Sequence, residues 1–193
     1  MRQNSERRTA LTDAAVTVLA KVGARGLTYR AVDVEADVPP GTTSNYFRNR
    51  DQLLVAAGER VHERLSAPAE VMTNPRAELP SKHRLSELLD ALVSRLTIDR
   101  TVYLALLELR LEATRRPDLA KALTRTVREG FDLSVEFHES AGLPGGRDAV
   151  LLLYLALTGL TVERLTLPGA FADISDSDVV EMLVEHTYRG GRK

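Results

Sequence analysis

Cysteine and tryptophan are both absent from the 193 residues, and aromatic residues make up only 5 % of the chain. Without thiols, disulfides, thiolate metal sites and thiol catalysis are excluded. Basic and acidic residues nearly cancel, 26 against 27, so no charged tail announces a polyanionic partner. The longest apolar stretch, Ala149 to Val162, is interrupted by Thr158, Gly159 and Thr161. It is shorter than the roughly 18–20 residues of a membrane span. Met1-Arg2-Gln3-Asn4-Ser5-Glu6 leads into an amphipathic pattern rather than an apolar leader. A cytoplasmic protein with no membrane partner is expected. The length suits one domain, or a small domain joined to a larger one.

Catalytic patterns are lacking too. The four histidines, His62, His83, His138 and His186, are scattered, and none pairs at metal-ligand spacing. Glu59 and His62 form a single Glu-x-x-His, whereas a di-iron bundle needs two. His138 and His186 are expected at the surface. No phosphate-binding glycine loop or serine elbow occurs. No enzyme activity, metal or cofactor is predicted.

Apolar residues recur at helical spacing almost throughout. Leu11, Ala14, Ala15, Val18, Leu19 and Val22 share one face of a first helix, which Gly23 and Gly26 end. Thr28 is placed to cap a second helix, and Asn49 with Gln52 forms a capping box for a fourth, striped by Leu53, Ala57, Val61 and Leu65. Pro68, Pro75 and Pro80 mark a linker. Leu85, Leu88, Leu89, Leu92, Val93 and Leu96 stripe a fifth helix. A sixth is expected from about Asp99 to Arg115, and a seventh from Pro117 to about Ser140. The eighth, Ala149–Leu165, stops before Pro168-Gly169. Ser175-Asp176 caps a ninth, with Val179, Val180, Leu183, Val184 and Tyr188 on one face. No strand pattern or internal repeat is present. The fold class is all-α, with about nine helices.

The informative segment is Leu27–Leu53, LTYRAVDVEADVPPGTTSNYFRNRDQL. Two short helices flank a Val38-Pro39-Pro40-Gly41 break, the helix-turn-helix arrangement whose second helix is sized for the DNA major groove. That second helix carries Thr42, Thr43, Ser44, Asn45 and Tyr46, weakly helix-favouring residues where plain scaffold would place Glu, Lys or Ala. Their side chains suit base edges and phosphates. Val32, Ala36, Val38 and Phe47 read as core. Through Arg60 the chain carries nine basic against seven acidic residues, a sign fitting a DNA-binding end.

Arg30, Val38, the Gly41-Thr42 pair, Phe47 and Arg50 followed by Asp51 and Leu53 resemble the N-terminal domain of TetR-family transcriptional regulators. The upstream amphipathic helix and the all-helical length are similar too. The resemblance implies a three-helix DNA-binding domain at 1–50 and a larger helical ligand-binding and dimerisation domain at 51–193. It implies a bacterial regulator, most simply a repressor released from double-stranded operator DNA by a small-molecule effector. Arg30 would reach a guanine edge or a phosphate. Thr42, Thr43, Ser44 and Asn45 would face the groove, and Tyr46, Arg50 and Thr28 would hold phosphates. Pro39 stands at the usual hydroxyl N-cap, Ser44 at a usual tyrosine, and Asp33 and Asp37 at a customary small residue and the turn glycine. Asp37 tolerates the left-handed turn conformation, but both carboxylates are expected near DNA.

The eighth helix is apolar nearly all round and must be covered on two sides. Packing helices eight and nine against a second copy satisfies this, with Leu152, Leu155, Leu160, Val180, Leu183 and Val184 at a homodimer interface. It also sets two recognition helices about 34–36 Å apart, one DNA turn. The alternative is a monomer with helix eight at its centre. For the effector pocket the resemblance and the pattern suggest Tyr103, Leu107, Glu108, Leu111, Phe131, Tyr154 and Thr158. Glu112 and Arg115 read as a solvated stripe. Alternatives remain an activator or ligand-independent DNA binder of the same fold, or a helical ligand-binding dimer in which the motif is vestigial.

Overall fold

Helix α1, Arg2–Gly26, buries Leu11, Ala14, Ala15, Val18 and Leu19 along one stripe, as the 3–4 spacing dictates. In the computed structural model of the chain, residues 2–65, 85–87, 89–91, 93–94 and 99–189 are described. Gly23 breaks α1 internally with φ 73° and ψ 177°, a conformation only glycine adopts without strain. The break turns Val22 outward to 61 % exposure, against the expectation that it continues the buried stripe.

Helix α2 is Tyr29–Glu35, opened by Thr28, whose Oγ1 accepts the Ala31 N–H at 3.1 Å. Helix α3 is Thr42–Tyr46, and α4 is Arg50–Leu65. The capping box of α4 is shifted by one residue. Asn49 Oδ1 accepts the Gln52 N–H at 2.9 Å, while Gln52 Oε1 accepts the N–H of Arg48 at 3.0 Å. Helical residues at 85–87, 89–91 and 93–94 are labelled α5. The proline linker, Leu88, Leu92, Leu96 and His83 lie outside the described residues. Then come α6 Arg100–Ala113, α7 Pro117–Ser140, α8 Gly146–Thr166 and α9 Asp176–Arg189. Asp99 caps α6 through Val102, and Ser175 Oγ accepts from the Asp178 N–H at the start of α9. Among the described residues there is no strand.

The described residues fall into two compact units, one drawn from Met1–Ser66 and Asp99–Val127, the other from Ala67–Ile98 and Arg128–Lys193. The first unit therefore holds more than residues 1–50: α4, α6 and the start of α7 share its core. Phe47, Leu53, Leu54 and Val61 pack there with Val102, Ala105, Leu109, Leu119 and Leu123. Burial of a side chain such as Phe47 contributes about 1.5–3 kcal/mol, and this packing holds short helices that could not stand alone.

In the second unit α8 turns Ala149, Leu153 and Leu157 against Leu85 and Val93 of α5 and Val180, Val184 and Tyr188 of α9. At 21 residues α8 is long and apolar enough to cross a membrane by length and composition alone, a test that a core helix of a soluble protein also passes. His138, expected at the surface, is buried. It stacks on Tyr188, rings 5.9 Å apart, and its Nε2 lies 3.0 Å from the Pro144 carbonyl oxygen.

Candidate nucleic-acid interface

Helix α3 has only five residues, and its N-cap, Gly41, is left-handed at φ 89° and brings no side chain. The cap comes from elsewhere. Asp33, on α2 and only 2 % exposed, accepts the Gly41 N–H on Oδ2 at 2.7 Å. Its Oδ1 accepts the Thr43 N–H at 2.7 Å and the Thr43 hydroxyl at 2.5 Å. Burial alone would raise the Asp33 pKa, but the three hydrogen bonds prevail and hold it below the usual 3.8. A carboxylate at the N-terminus of α3 also meets the positive end of its peptide dipoles. Asp33 is thus a clasp between the two helices of the motif rather than a charge facing DNA. Asp37 takes the left-handed turn conformation at φ 50°.

The clasp corrects one expectation. Thr43 is fully buried, its hydroxyl held by Asp33, and it cannot reach a groove. What remains outside is Ser44 and Asn45, both exposed, with Thr42 half-buried beside them. The Thr42 and Ser44 hydroxyls donate back to the carbonyl oxygens of Pro39 and Gly41 at 2.6 and 2.7 Å. Their lone pairs stay available as acceptors, while the Asn45 amide carries both donor and acceptor. On α2, Arg30 is exposed, and so is Thr28.

The C-terminal end of α3 is held from two sides. Arg8 Nη1 donates to the Tyr46 carbonyl oxygen at 2.9 Å, and the same guanidinium lies 4.4 Å from the Phe47 ring centroid. The Tyr29 hydroxyl donates to the Phe47 carbonyl oxygen at 2.8 Å. Tyr46 is half-buried. Neither Arg8 nor Asp33 was singled out as a support from sequence, since each acts on backbone groups of another helix.

Arg50, expected on a phosphate, is turned inward. Its Nε donates to the Leu27 carbonyl oxygen at 3.2 Å, its Nη2 to that of Ala24, and its Nη1 stands 3.6 Å from Glu112. Glu112 is buried rather than solvated. Hydrogen bonds from Arg116 first, then from Arg115, hold its carboxyl below the ordinary range against the burial penalty. Arg116 also pairs with Asp51. An ion network thus ties α6 to the start of α4 and to the α1–α2 junction.

The expected pocket residues divide between the units. Glu108 lies against Gly23, where its Oε2 accepts the Ala24 N–H freed by the break, at 2.9 Å. It caps the helix break. Leu111 is 60 % exposed, Tyr103 buried and Leu107 half-buried. Phe131, Tyr154 and Thr158 lie together in the second unit. Phe131 and Tyr154 meet edge to face, and the Thr158 hydroxyl donates to the Tyr154 carbonyl oxygen at 2.7 Å.

Of the expected interface residues, Leu152 and Leu155 are 60 and 57 % exposed, and Leu160 and Leu183 are half-buried. Val180 and Val184 are instead buried within their own chain, against Leu157 and Val93 and against Leu153 and Leu85. The described residues hold no cluster of metal-ligating side chains.

A clasped helix-turn-helix with an outward polar row, joined to a larger helical region, defines a DNA-binding transcriptional regulator. Residues 11–57 match the model of the bacterial regulatory proteins of the TetR family, and residues 80–190 that of the tetracycline-repressor-like C-terminal domain. The chain belongs to the TetR family. It is similar to the structure of a TetR-family member from Streptomyces coelicolor A3, at 29 % identity and TM-score 0.71, over 94 % of this chain and 98 % of that one. It is also similar to the multidrug binding protein EbrR. The EbrR complex with proflavin matches at 27 % identity and TM-score 0.64, over 94 and 99 % of the two chains. The ethidium complex matches at 26 % and 0.67, over 94 and 98 %. No curated protein is a significant match.

Proposed function

We propose that this protein is a homodimeric repressor that binds a palindromic operator through α3 and is released by a small molecule. The observation that carries the reading is the two-sided character of α3. Its inner side is fixed by Asp33, Arg8 and Tyr29, while Ser44 and Asn45 are left exposed, as is Arg30 on α2. Asn45 would pair with adenine and Arg30 with guanine or phosphate. Ser44, Thr42, Thr28 and Tyr46 would settle the helix on the backbone. Thr43 acts behind the surface, held by Asp33, and Arg50 ties the start of α4 to the α1–α2 junction and to Glu112.

Two equivalent recognition helices require a dimer. The exposed leucines of α8, Leu152 and Leu155 with Leu151 beside them, support a second copy as their cover. A small-molecule effector is supported by the likeness to EbrR, whose structures contain proflavin and ethidium. Ligand binding would shift the population toward a dimer whose recognition helices no longer match the half-site spacing. The site of action is the cytoplasm.

Fluorescence anisotropy on the DNA upstream of the protein's own gene tests this. The wild type is expected to bind with affinity that falls steeply as salt rises. A good base contact discriminates by about 1–3 kcal/mol, so Arg30→Ala with Asn45→Ala should weaken binding by about thirtyfold or more. Unchanged affinity in the double variant would remove α3 as the reading element.

A further inference from the structure

With Arg50 held by the Leu27 and Ala24 carbonyl oxygens and by Glu112, the cation expected on a phosphate beside α3 is withdrawn. Two residues earlier the chain offers another. Phe47 has extended backbone, φ −127° and ψ 115°, and its ring is fully buried. Side chains alternate across extended backbone, so Arg48 is turned outward, and it is exposed. Among the described residues, no acceptor is paired with its guanidinium. The backbone that carries it is pinned at three successive residues. Arg8 donates to the Tyr46 carbonyl oxygen, Tyr29 to that of Phe47, and the Arg48 N–H donates to Gln52 Oε1 at 3.0 Å. The first two bonds also cover carbonyl oxygens at the C-terminal end of α3, the end whose dipoles would repel an anion. Asp51 is the only carboxylate between Asp37 and Glu59, and it is paired with Arg116, away from Arg48.

We propose that Arg48, and not Arg50, grips a DNA phosphate at the C-terminal end of α3, and that it does so without reading sequence. The planar fork of a guanidinium matches two phosphate oxygens. Arg48 has no bond within the chain to give up before it binds, whereas Arg50 would abandon two carbonyl groups and a buried carboxylate. The pinned backbone lowers the ordering cost of the contact, which falls on the side chain alone. Arg48 lies beyond α3, past the exposed Ser44 and Asn45 that suit base edges, so its partner is the backbone flanking the groove. The Tyr29–Phe47 hydrogen bond joins the neighbours of Arg30 and Arg48. Two exposed arginines, one on α2 and one after α3, therefore flank a single bond that fixes the spacing between their backbones.

This inference rests on the proposed DNA binding and assigns one more contact to it. Anisotropy is measured across a salt series on two duplexes, the DNA upstream of the protein's own gene and a scrambled duplex of the same length and composition. Arg48→Ala should weaken both by the same several-fold factor. The slope of log affinity against log salt should shrink by about 1 for each half-site, about 2 for a dimer on a palindrome. Arg48→Lys, which keeps the charge, should keep the slope, a rescue that a merely structural role would not give. Arg50→Gln should lower the urea midpoint and leave the salt slope of the folded protein unchanged. An unchanged slope in Arg48→Ala, a loss confined to the upstream duplex, or a slope that falls in Arg50→Gln instead would overturn the proposal. If the wild type binds both duplexes equally and Arg48→Ala still lowers the slope, the phosphate contact stands and the sequence-specific reading fails. If the upstream duplex is preferred and Arg48→Ala changes no slope, that reading stands and the contact is overturned. Absence of DNA binding by the wild type would remove both.

Discussion

Replacing Asp33 by alanine isolates what holds the recognition helix. The carboxylate accepts three hydrogen bonds of 2.5–2.7 Å at a position with 2 % exposure. Hydrogen bonds to charged groups contribute about 1.5–3 kcal/mol each, but such values do not add within one cluster. The Gly41 N–H lies at an exposed turn, where water replaces the lost acceptor. The Thr43 N–H and hydroxyl are buried, and leaving them unpaired costs about 1–3 kcal/mol. Losing an N-cap acceptor costs about 1 kcal/mol more, so Asp33→Ala should destabilise the first unit by about 2–4 kcal/mol. Urea unfolding measures this as a lower midpoint at unchanged slope. The same clasp predicts a pH dependence. The folded pKa of Asp33 is depressed below its usual 3.8, so its stabilisation is complete above that value and is lost as pH falls from there through the folded pKa. In Asp33→Ala the acid limb of the stability profile should flatten. A loss below about 0.5 kcal/mol with an unchanged acid limb would refute the clasp.

Two further expectations concern other parts of the chain. Gly23→Ala places a side chain at φ 73° with its Cβ 3.0 Å from Glu108 Oε2, which should cost about 1–3 kcal/mol in the urea midpoint; an unchanged midpoint would deny that the break matters. Leu152→Glu with Leu155→Glu puts two charges on the exposed leucines of α8. Sedimentation should show a monomer with helical content intact, and a persisting dimer would place the interface elsewhere.

The helices were readable because their ends carry capping residues. Asp99, Pro117, Ser175 and the Asn49–Gln52 pair each stand at or beside a real helix start. What stayed hidden were partnerships between backbone groups and distant side chains. The sequence shows Asp33 as a charge on a short helix. It does not show that the carboxylate reaches N–H groups eight and ten residues away. Helix α3 has barely more than one turn, too few residues for periodicity to tell Thr43 inside from Ser44 outside. Arg50 looks like a phosphate ligand by its charge, yet it answers carbonyl groups exposed where α1 ends. Glu108 and Val22 share one cause, the break at Gly23. It freed an N–H for the carboxylate and turned the valine out of the stripe. Val180 and Val184 carry the same hydrophobic signal whether they face their own α8 or another chain, so burial within one chain could not be separated from burial between two.

The most direct test of the central claim is to recover fragments of genomic DNA from the protein's source on the purified wild-type protein and sequence them. Sequence-specific regulation by α3 predicts enrichment of one palindrome with half-sites about one helical turn apart, lost with Arg30→Ala and Asn45→Ala. Uniform, salt-sensitive coverage, or a palindrome that the double variant recovers equally well, would contradict the account.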